Sequence, residues 1–251
     1  MNTYGKLSTE FYDLDKPDPP PDAFDFYEAF AREAKGPIHE PMCGSGRFLL
    51  PLLAQGLEIT GSDTSQDMLD ACRKRAHQRG LAPKLTQQAL QGLTCERAPS
   101  LMFIPSGSFG LLIDDALVTT ALARVHDVLA PGGTFLVEAE LLRPSPPESS
   151  GTWGGRWLDR PDGSRLIISW LTQYSGAANV STAVHRYELV KDGQLLASEY
   201  EDFRVRSYAS AEFHALLERA GFRDIEPFKP YERTPPDETD DAAVFCCRKS
   251  P

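Results

Sequence analysis

The 251-residue chain predicts a doubly wound α/β fold, a seven-stranded sheet with helices on both faces and a small antiparallel β insertion after strand five. Three observations predict it. From Asp22 to Leu142, short apolar runs alternate with stretches of helical period, the pattern of parallel strands joined by crossover helices. A glycine-bearing turn, Cys43 to Gly46, separates the first such run from the next helix. Beyond residue 143 the alternation stops and three strand-like runs follow one another, two of them joined by the hairpin signal Lys191-Asp192-Gly193.

Residues 1–22 are polar and end in Pro17, Pro19, Pro20 and Pro21, reading as an ordered arm or a flexible leader. From Asp22, Phe26, Tyr27 and Phe30 recur at helical spacing until Gly36-Pro37 stops the helix. Ile38 to Met42 reads as a short buried strand and Arg47 to Gln55 as a Leu-rich helix. Leu57 to Ser62 forms a second strand ending at Asp63, after which Thr64 or Ser65 caps a helix closed by Gly80. Residues 84–90 give a third strand, Leu101 to Ile104 a fourth that Pro105 ends, and Ala116 to Leu129 a helix. Pro131-Gly132-Gly133 turns the chain into strand five, Thr134 to Leu142. Residues 143–155 read as a loop, followed by strands Arg165–Tyr174, Val180–Val190 and Gln194–Tyr208. A helix from Ser210 or Ala211 to Gly221, then strands Phe222–Phe228 and Ala242–Arg248, complete the sheet. The organisation expected is a core of residues 1–143 and 209–251, with residues 144–208 inserted for acceptor binding or dimerisation.

Hydrophobic residues make up 41% and charged residues 25%, enough to bury a core. A net charge of −10 argues against nucleic acid, whose phosphates require clustered Lys and Arg. Five cysteines without a CxxC pair argue against a structural zinc or a disulfide framework. No metal site is expected. The N-terminal residues lack a leader pattern, and no apolar run approaches the ~20 residues that span a bilayer. The expectation is a cytoplasmic monomer or homodimer that engages neither membrane nor nucleic acid.

Residues 38–48 carry the chemistry. Strand one ends in a carboxylate, Glu40, and Gly44 and Gly46 then open a helix. Glycine permits a sharp turn and close backbone approach to a ligand, and a helix N-terminus receives an anionic group. Asp63, ending strand two, is placed to accept both hydroxyls of a ribose. A dehydrogenase fingerprint needs a third glycine where this chain has Leu49, and Glu40 suits an ammonium better than a pyrophosphate. S-adenosylmethionine carries an ammonium and a sulfonium and no phosphate, so the residues favour a methyl donor.

On these residues, 36–140 resemble the core of class I S-adenosylmethionine-dependent methyltransferases, which have a Rossmann-like sheet. Glu40 through Arg47 match the family's glycine-rich motif, with Met42 in place of its first glycine. Asp63, Ser65, Met68 and Leu69 match a second motif, and Leu101–Pro105 and Leu129–Gly133 match the fourth strand and the turn before strand five. The family's acid after strand three is absent; Ala89 and Leu90 occupy that region. The resemblance implies that Glu40 binds the methionine ammonium, with Pro41 and Met42 beside it. Cys43, Gly44, Ser45 and Gly46 would line the methionine moiety. Asp63, with Thr64 next to it, would hold the ribose, Met68 would pack on the adenine, and Ala89 and Leu90 would flank its edge. Ile104, Pro105 and Ser106 would lie beside the sulfonium and the acceptor, and Tyr4 and Tyr12 resemble lid tyrosines of small-molecule methyltransferases. The donor would leave as S-adenosylhomocysteine.

Each of these residues also has a purely structural reading. Glu40 and Asp63 could be satisfied by helix amides, Cys43 and Met68 could be core filler, and Tyr12 could belong to an arm that merely packs. Ser106 and Ser108 suit a turn without any ligand. His77, His126 and His214 read as solvated helix residues and His39 as core. His185, mid-strand beside Arg186 and Tyr187, is a candidate base if its side chain faces the cleft. Trp153, Arg156, Trp157 and Trp170 either line an acceptor pocket or stitch the insertion to the core. The function expected is methyl transfer to nitrogen or oxygen of a small organic metabolite. A non-catalytic donor-binding protein and a nucleotide-dependent oxidoreductase are the alternatives.

Overall fold

The computed structural model describes residues 4–142, 150–175 and 179–251. In chain order the elements are α1 (Lys6–Asp15), α2 (Pro21–Glu33), β1 (Ile38–Pro41), α3 (Leu49–Ala54), β2 (Ile59–Asp63), α4 (Gln66–Gln78), β3 (Lys84–Gln87), β4 (Leu101–Ile104), α5 (Asp115–Val128) and β5 (Thr134–Glu140). There follow β6 (Trp153–Asp159), β7 (Arg165–Ser175), β8 (Val180–Lys191), β9 (Gln194–Arg206), α6 (Ser210–Arg219), β10 (Arg223–Phe228) and β11 (Ala242–Arg248).

The main sheet has the order β10-β11-β5-β4-β1-β2-β3. β1 pairs in parallel with β2 on one side and β4 on the other, so the strand order reverses at β1. In such sheets, ligands bind beyond the carboxyl ends of the strands at that reversal. Antiparallel β11 closes against the full length of β5, Ala242 opposite Glu140 and Arg248 opposite Thr134. Strand alternation sorts the core onto two faces. Leu101 and Phe103 of β4, Leu136 of β5 and Val244 of β11 meet α2, α3 and α4 through Tyr27, Leu49 and Leu69. Met102, Phe135 and Phe245 meet α5 and α6 through Val118, Leu122 and Phe213. Tyr27 stacks on Phe103 at 5.3 Å, both fully buried, and truncating such a ring costs about 3–5 kcal/mol.

Local chemistry sets the helix ends. Ser65 Oγ accepts from the Met68 amide at 3.2 Å and caps α4, while Asp114 accepts from the Ala116 and Leu117 amides and caps α5. Pro21 occupies the first turn of α2, where its missing N–H costs nothing.

The second sheet is an antiparallel meander, β6-β7-β8-β9. It has four strands where three were expected. β6 lies partly in the stretch read as a loop, because its Gly154 and Gly155 depress strand propensity. The pairing requires a glycine there, since a Cβ on Gly154 would lie 2.5 Å from the Trp170 ring. Residues 143–149 of that predicted loop lie outside the described residues. α1 is the other addition. Residues 6–15, expected as arm or leader, are helical because Leu7 and Phe11 bury against Leu166, Ile168 and Tyr187 of the second sheet. The opposite face of that sheet exposes Trp153, Trp157, Val184 and Tyr200. Trp153 and Trp157 therefore neither line the inner cavities nor stitch the sheet to the core. The third strand stops at Gln87, and Leu90–Gly92 turn as a 3-10 helix. His126 is not solvated as expected; it is half-buried, with its ring edge-on to Phe222 at 5.1 Å.

Among the described residues, no helix is long and apolar enough to cross a membrane, and no His, Cys, Asp and Glu group suits a metal.

Candidate active site

A cavity of about 220 Å³ opens beyond the carboxyl ends of β1, β2 and β4, at the reversal of strand order. The β1–α3 turn forms one wall. Met42 and Gly44 both adopt left-handed backbone, φ 59° and 51°. Met42 thus keeps a glycine-like conformation at a cost of roughly 1 kcal/mol. The Gly44 amide donates to Asp63 Oδ2 at 2.8 Å and the Ser65 amide to Oδ1 at 2.9 Å. These bonds hold Asp63 at the cavity wall and leave lone pairs on both oxygens for a diol. Burial raises the Asp63 pKa, and the Ser65, Gly44 and Thr64 amides oppose the rise.

Glu40 differs. The Leu49 amide bonds its carboxylate, but the buried Oε2 has no partner. Burial holds its pKa well above the ordinary carboxylate range. A buried acceptor without a donor costs about 1–3 kcal/mol, more when charged. A cation in the cavity that Glu40 lines removes that cost. The orphaned oxygen therefore fits an ammonium, as the Asp63 lone pairs fit a ribose.

Tyr4, Tyr12, Cys43, Ser45, Thr64, Met68, Ala89, Leu90, Pro105 and Ser106 also line this cavity. Pro41, Gly46 and Ile104 do not. Pro41 and Ile104 are buried within their strands. Gly46 packs into the helices instead: a Cβ there would lie 2.5 Å from Cys72 Sγ and 2.9 Å from Leu50 Cγ. Cys43 is buried with its thiol pKa raised by burial, as suits a packing residue rather than a nucleophile. Arg47, which ends the matched motif, and Ser108, which suits a turn, complete the walls with Phe48, Gln88, Gln91, Leu111 and Leu112, residues that the sequence did not single out. Arg47 and Phe48 adjoin the glycine turn and Gln88 and Gln91 flank Ala89 and Leu90, so proximity was a usable signal. Leu111 and Leu112 gave none.

The N-terminal arm closes one side. Tyr4 and Tyr12 meet edge-to-face at 5.9 Å. The Tyr4 carbonyl accepts from Ser65 Oγ at 2.7 Å, and the Tyr4 amide donates to Glu201 Oε1 at 2.7 Å. Glu199 accepts from the Leu7 and Ser8 amides, satisfying the first turn of α1. Arg75 of α4 donates to Asp13 at 3.2 Å, to Ser45 Oγ at 3.0 Å and to the Pro17 carbonyl. The arm is thus tied to both the main sheet's helices and the second sheet.

Beyond Ser106 lies a second cavity of about 380 Å³, walled by Glu138, Glu140, Tyr174 and Ser181. The Ser106 amide donates to buried Glu138 at 2.9 Å, and Tyr27 and Tyr231 hydroxyls donate to the same oxygen. Glu140 and Ser181 are shared with a third cavity of about 520 Å³ on the inner face of the second sheet. His185, Trp170, Phe203 and Arg156 line it. The site is therefore a row of spaces running from the glycine turn to the inserted strands.

Residues 38–133 match a family of methyltransferase domains. An S-adenosylmethionine-dependent methyltransferase from Clostridium acetobutylicum superposes with a TM-score of 0.78 at 18% identity, covering 96% of this chain and 97% of that one. The sugar N-methyltransferase KedS8 from Streptoalloteichus gives 0.78 at 15% identity, covering 100% and 96%. The CcbJ methyltransferase from Streptomyces caelestis gives 0.73 at 23%, covering 94% and 98%. Among curated proteins, an uncharacterised RNA methyltransferase of Parasynechococcus marenigrum is 39% identical over 57 residues. That match spans 23% of this chain and 12% of the relative. Residues 38–133 thus match a methyltransferase domain, and the seven-stranded fold around the glycine turn is shared with solved S-adenosylmethionine-dependent methyltransferases.

Proposed function

We propose that the protein transfers the methyl group of S-adenosylmethionine to an amine nitrogen of a small, sugar-sized polar metabolite. The observation that carries the donor half is the orphaned Glu40 Oε2 beside a cavity that Asp63 also lines. In this reading Glu40 takes the methionine ammonium, Cys43, Gly44 and Ser45 flank the methionine chain, Asp63 takes the ribose, and Met68, Ala89 and Leu90 enclose the adenine. Tyr4 and Tyr12 form the lid. Bound there, the donor supplies a methyl group already activated by a sulfonium. The protein's task is alignment of the acceptor and exclusion of water.

The acceptor half is supported by the two cavities past Ser106. Their walls combine carboxylates, hydroxyls and aromatic rings, which suit a polar ring with an amino group. Two structurally similar proteins are described as a sugar N-methyltransferase and an amino pentose methyltransferase. On this reading residues 1–143 and 209–251 form the donor-binding core, and residues 144–208 form the acceptor side. The chain's net charge of −10 disfavours an RNA substrate.

Calorimetry with S-adenosylmethionine and S-adenosylhomocysteine, beside Asp63→Ala and an NAD control, tests the donor half. Micromolar binding, on the order of −8 kcal/mol, that Asp63→Ala weakens supports it. NAD binding without S-adenosylhomocysteine binding would instead favour an oxidoreductase. Transfer of a labelled methyl group to a panel of amino sugars and their hydroxyl counterparts tests the acceptor half. Label only on the hydroxyl compounds refutes nitrogen, and donor binding without any transfer favours a non-catalytic binding protein.

A further inference from the structure

We infer that His185 is the residue that takes the acceptor's proton, and that Glu201 positions it while also holding the lid. This rests on the methyl-transfer reading above.

His185 projects from β8 onto the inner face of the second sheet, where it lines the largest of the three adjoining cavities. Its ring stacks on Phe203 at 5.1 Å with 19° between planes, and Phe203 in turn meets the Tyr4 ring edge-on at 6.3 Å. Tyr4 walls the donor cavity, so one line of three rings joins the donor wall to the histidine. The ring's contacts with polar side chains run through Nδ1, which lies 3.4 Å from Glu201 Oε2 and 3.5 Å from the Tyr187 hydroxyl. Tyr187 donates to the same Glu201 oxygen at 3.1 Å. With Oε2 already accepting, Nδ1 donates to it, which fixes the proton on Nδ1 and leaves the Nε2 lone pair available. A base held in one tautomer by a buried carboxylate is the arrangement that proton abstraction requires.

Glu201 is only 6% exposed, and its other oxygen accepts the Tyr4 amide at 2.7 Å. One carboxylate thus joins the lid and the base. It uses both oxygens as acceptors, a task that a glutamine with a single carbonyl oxygen does not fulfil. Glu201 acts through His185 and through the arm, so it is a positioning residue.

In the step itself, the acceptor nitrogen forms a bond to the methyl carbon as the carbon–sulfur bond breaks, its electron pair going to sulfur. The proton leaving nitrogen passes to His185 Nε2. The imidazolium so formed faces the Glu201 carboxylate across the Nδ1 contact. The proton later returns to water through the cavity mouth. Glu140 and Arg156, of opposite charge, stand on the walls of the same cavity.

Nitrogen-15 NMR of ring-labelled protein at pH 8, with and without S-adenosylhomocysteine, tests the inference without any acceptor. The His185 signal is identified by its loss in His185→Gln. The expected result is a neutral ring protonated on Nδ1, with that preference lost in Glu201→Gln. On the best compound of the amino-sugar panel, His185→Gln should lower kcat by about 10²-fold while S-adenosylhomocysteine affinity stays within twofold of wild type. A structural role alone would lower donor affinity and kcat together or leave both unchanged. An Nε2-protonated ring in protein that binds S-adenosylhomocysteine overturns this inference and leaves the donor reading standing. A kcat within about threefold of wild type does the same. Folded protein that fails to bind S-adenosylhomocysteine overturns both.

Discussion

Replacing Glu40 by glutamine should push apo stability and donor affinity in opposite directions. In the wild type a buried carboxylate has one oxygen bonded to the Leu49 amide and the other without a partner. Its folded-state pKa lies well above the ordinary value of 4.5 because burial disfavours the charge. The unfolded chain therefore loses this proton first, and the group's contribution to stability falls as pH rises above about 4.5 toward the folded pKa. Glutamine keeps the acceptor for Leu49 and removes the charge, although its own amide hydrogens then lack a buried acceptor. The net gain for apo protein at pH 8 is about 1–2 kcal/mol, or roughly 2–8 °C in Tm for a chain of this size. The difference should shrink as the pH is lowered, because burial of Glu40 favours its neutral form. Binding moves the other way. On the proposed assignment, Glu40→Gln removes a charge-assisted bond to the donor ammonium, which costs about 1.5–3 kcal/mol, roughly 10- to 150-fold in Kd for S-adenosylhomocysteine. Thermal melts at pH 5 and 8, with calorimetry on the same samples, read both effects. Methylthioadenosine, which lacks the amino acid, should bind both proteins equally. Equal S-adenosylhomocysteine affinity in the two proteins would refute the assignment of Glu40, and a lower Tm in the apo variant would refute the reasoning about its burial.

Other perturbations have signs that the structure fixes. Gly46→Ala places a Cβ 2.5 Å from Cys72 Sγ on backbone at φ 77°, so chemical denaturation should show a loss of roughly 2–5 kcal/mol. His39 is buried between Thr60 and Ser62 hydroxyls, and burial lowers its pKa from 6.5 to about 4. The unfolded state then takes the proton first, so His39→Gln should remove up to about 3 kcal/mol of the stability lost between pH 6.5 and pH 4. Arg75→Ala cuts the bonds to Asp13, Ser45 and Pro17, and hydrogen exchange in residues 6–15 should accelerate about tenfold or more. Asp63→Ala leaves the Gly44 and Ser65 amides without their acceptor and should lower stability by about 1–3 kcal/mol, in addition to the loss of donor affinity expected from the proposed function.

The sequence by itself determined what is encoded locally. The period of apolar residues gave the strands and helices of the main sheet, because side-chain direction follows backbone period. The turn at Cys43 to Gly46 and the carboxylates Glu40 and Asp63 were legible because they end adjacent strands of a known winding. Even Met42, which departs from the glycine pattern, keeps the left-handed backbone that the turn needs. Tertiary structure alone decided the rest. Lys6–Asp15 is a helix because Leu7 and Phe11 find Leu166, Ile168 and Tyr187, residues more than a hundred positions away. Trp153–Asp159 pairs as a strand because Gly154 lets the Trp170 ring approach its backbone. The bond from the Tyr4 amide to Glu201 joins residues 197 positions apart, and no local preference at either end reports it. His185 could be named from sequence, but the cavity it lines, and the carboxylate that orients it, exist only once three strands have fixed their register. Local propensity and period act over a few residues, whereas a site built from the arm, the sheet ends and an insertion depends on contacts that only the folded chain forms.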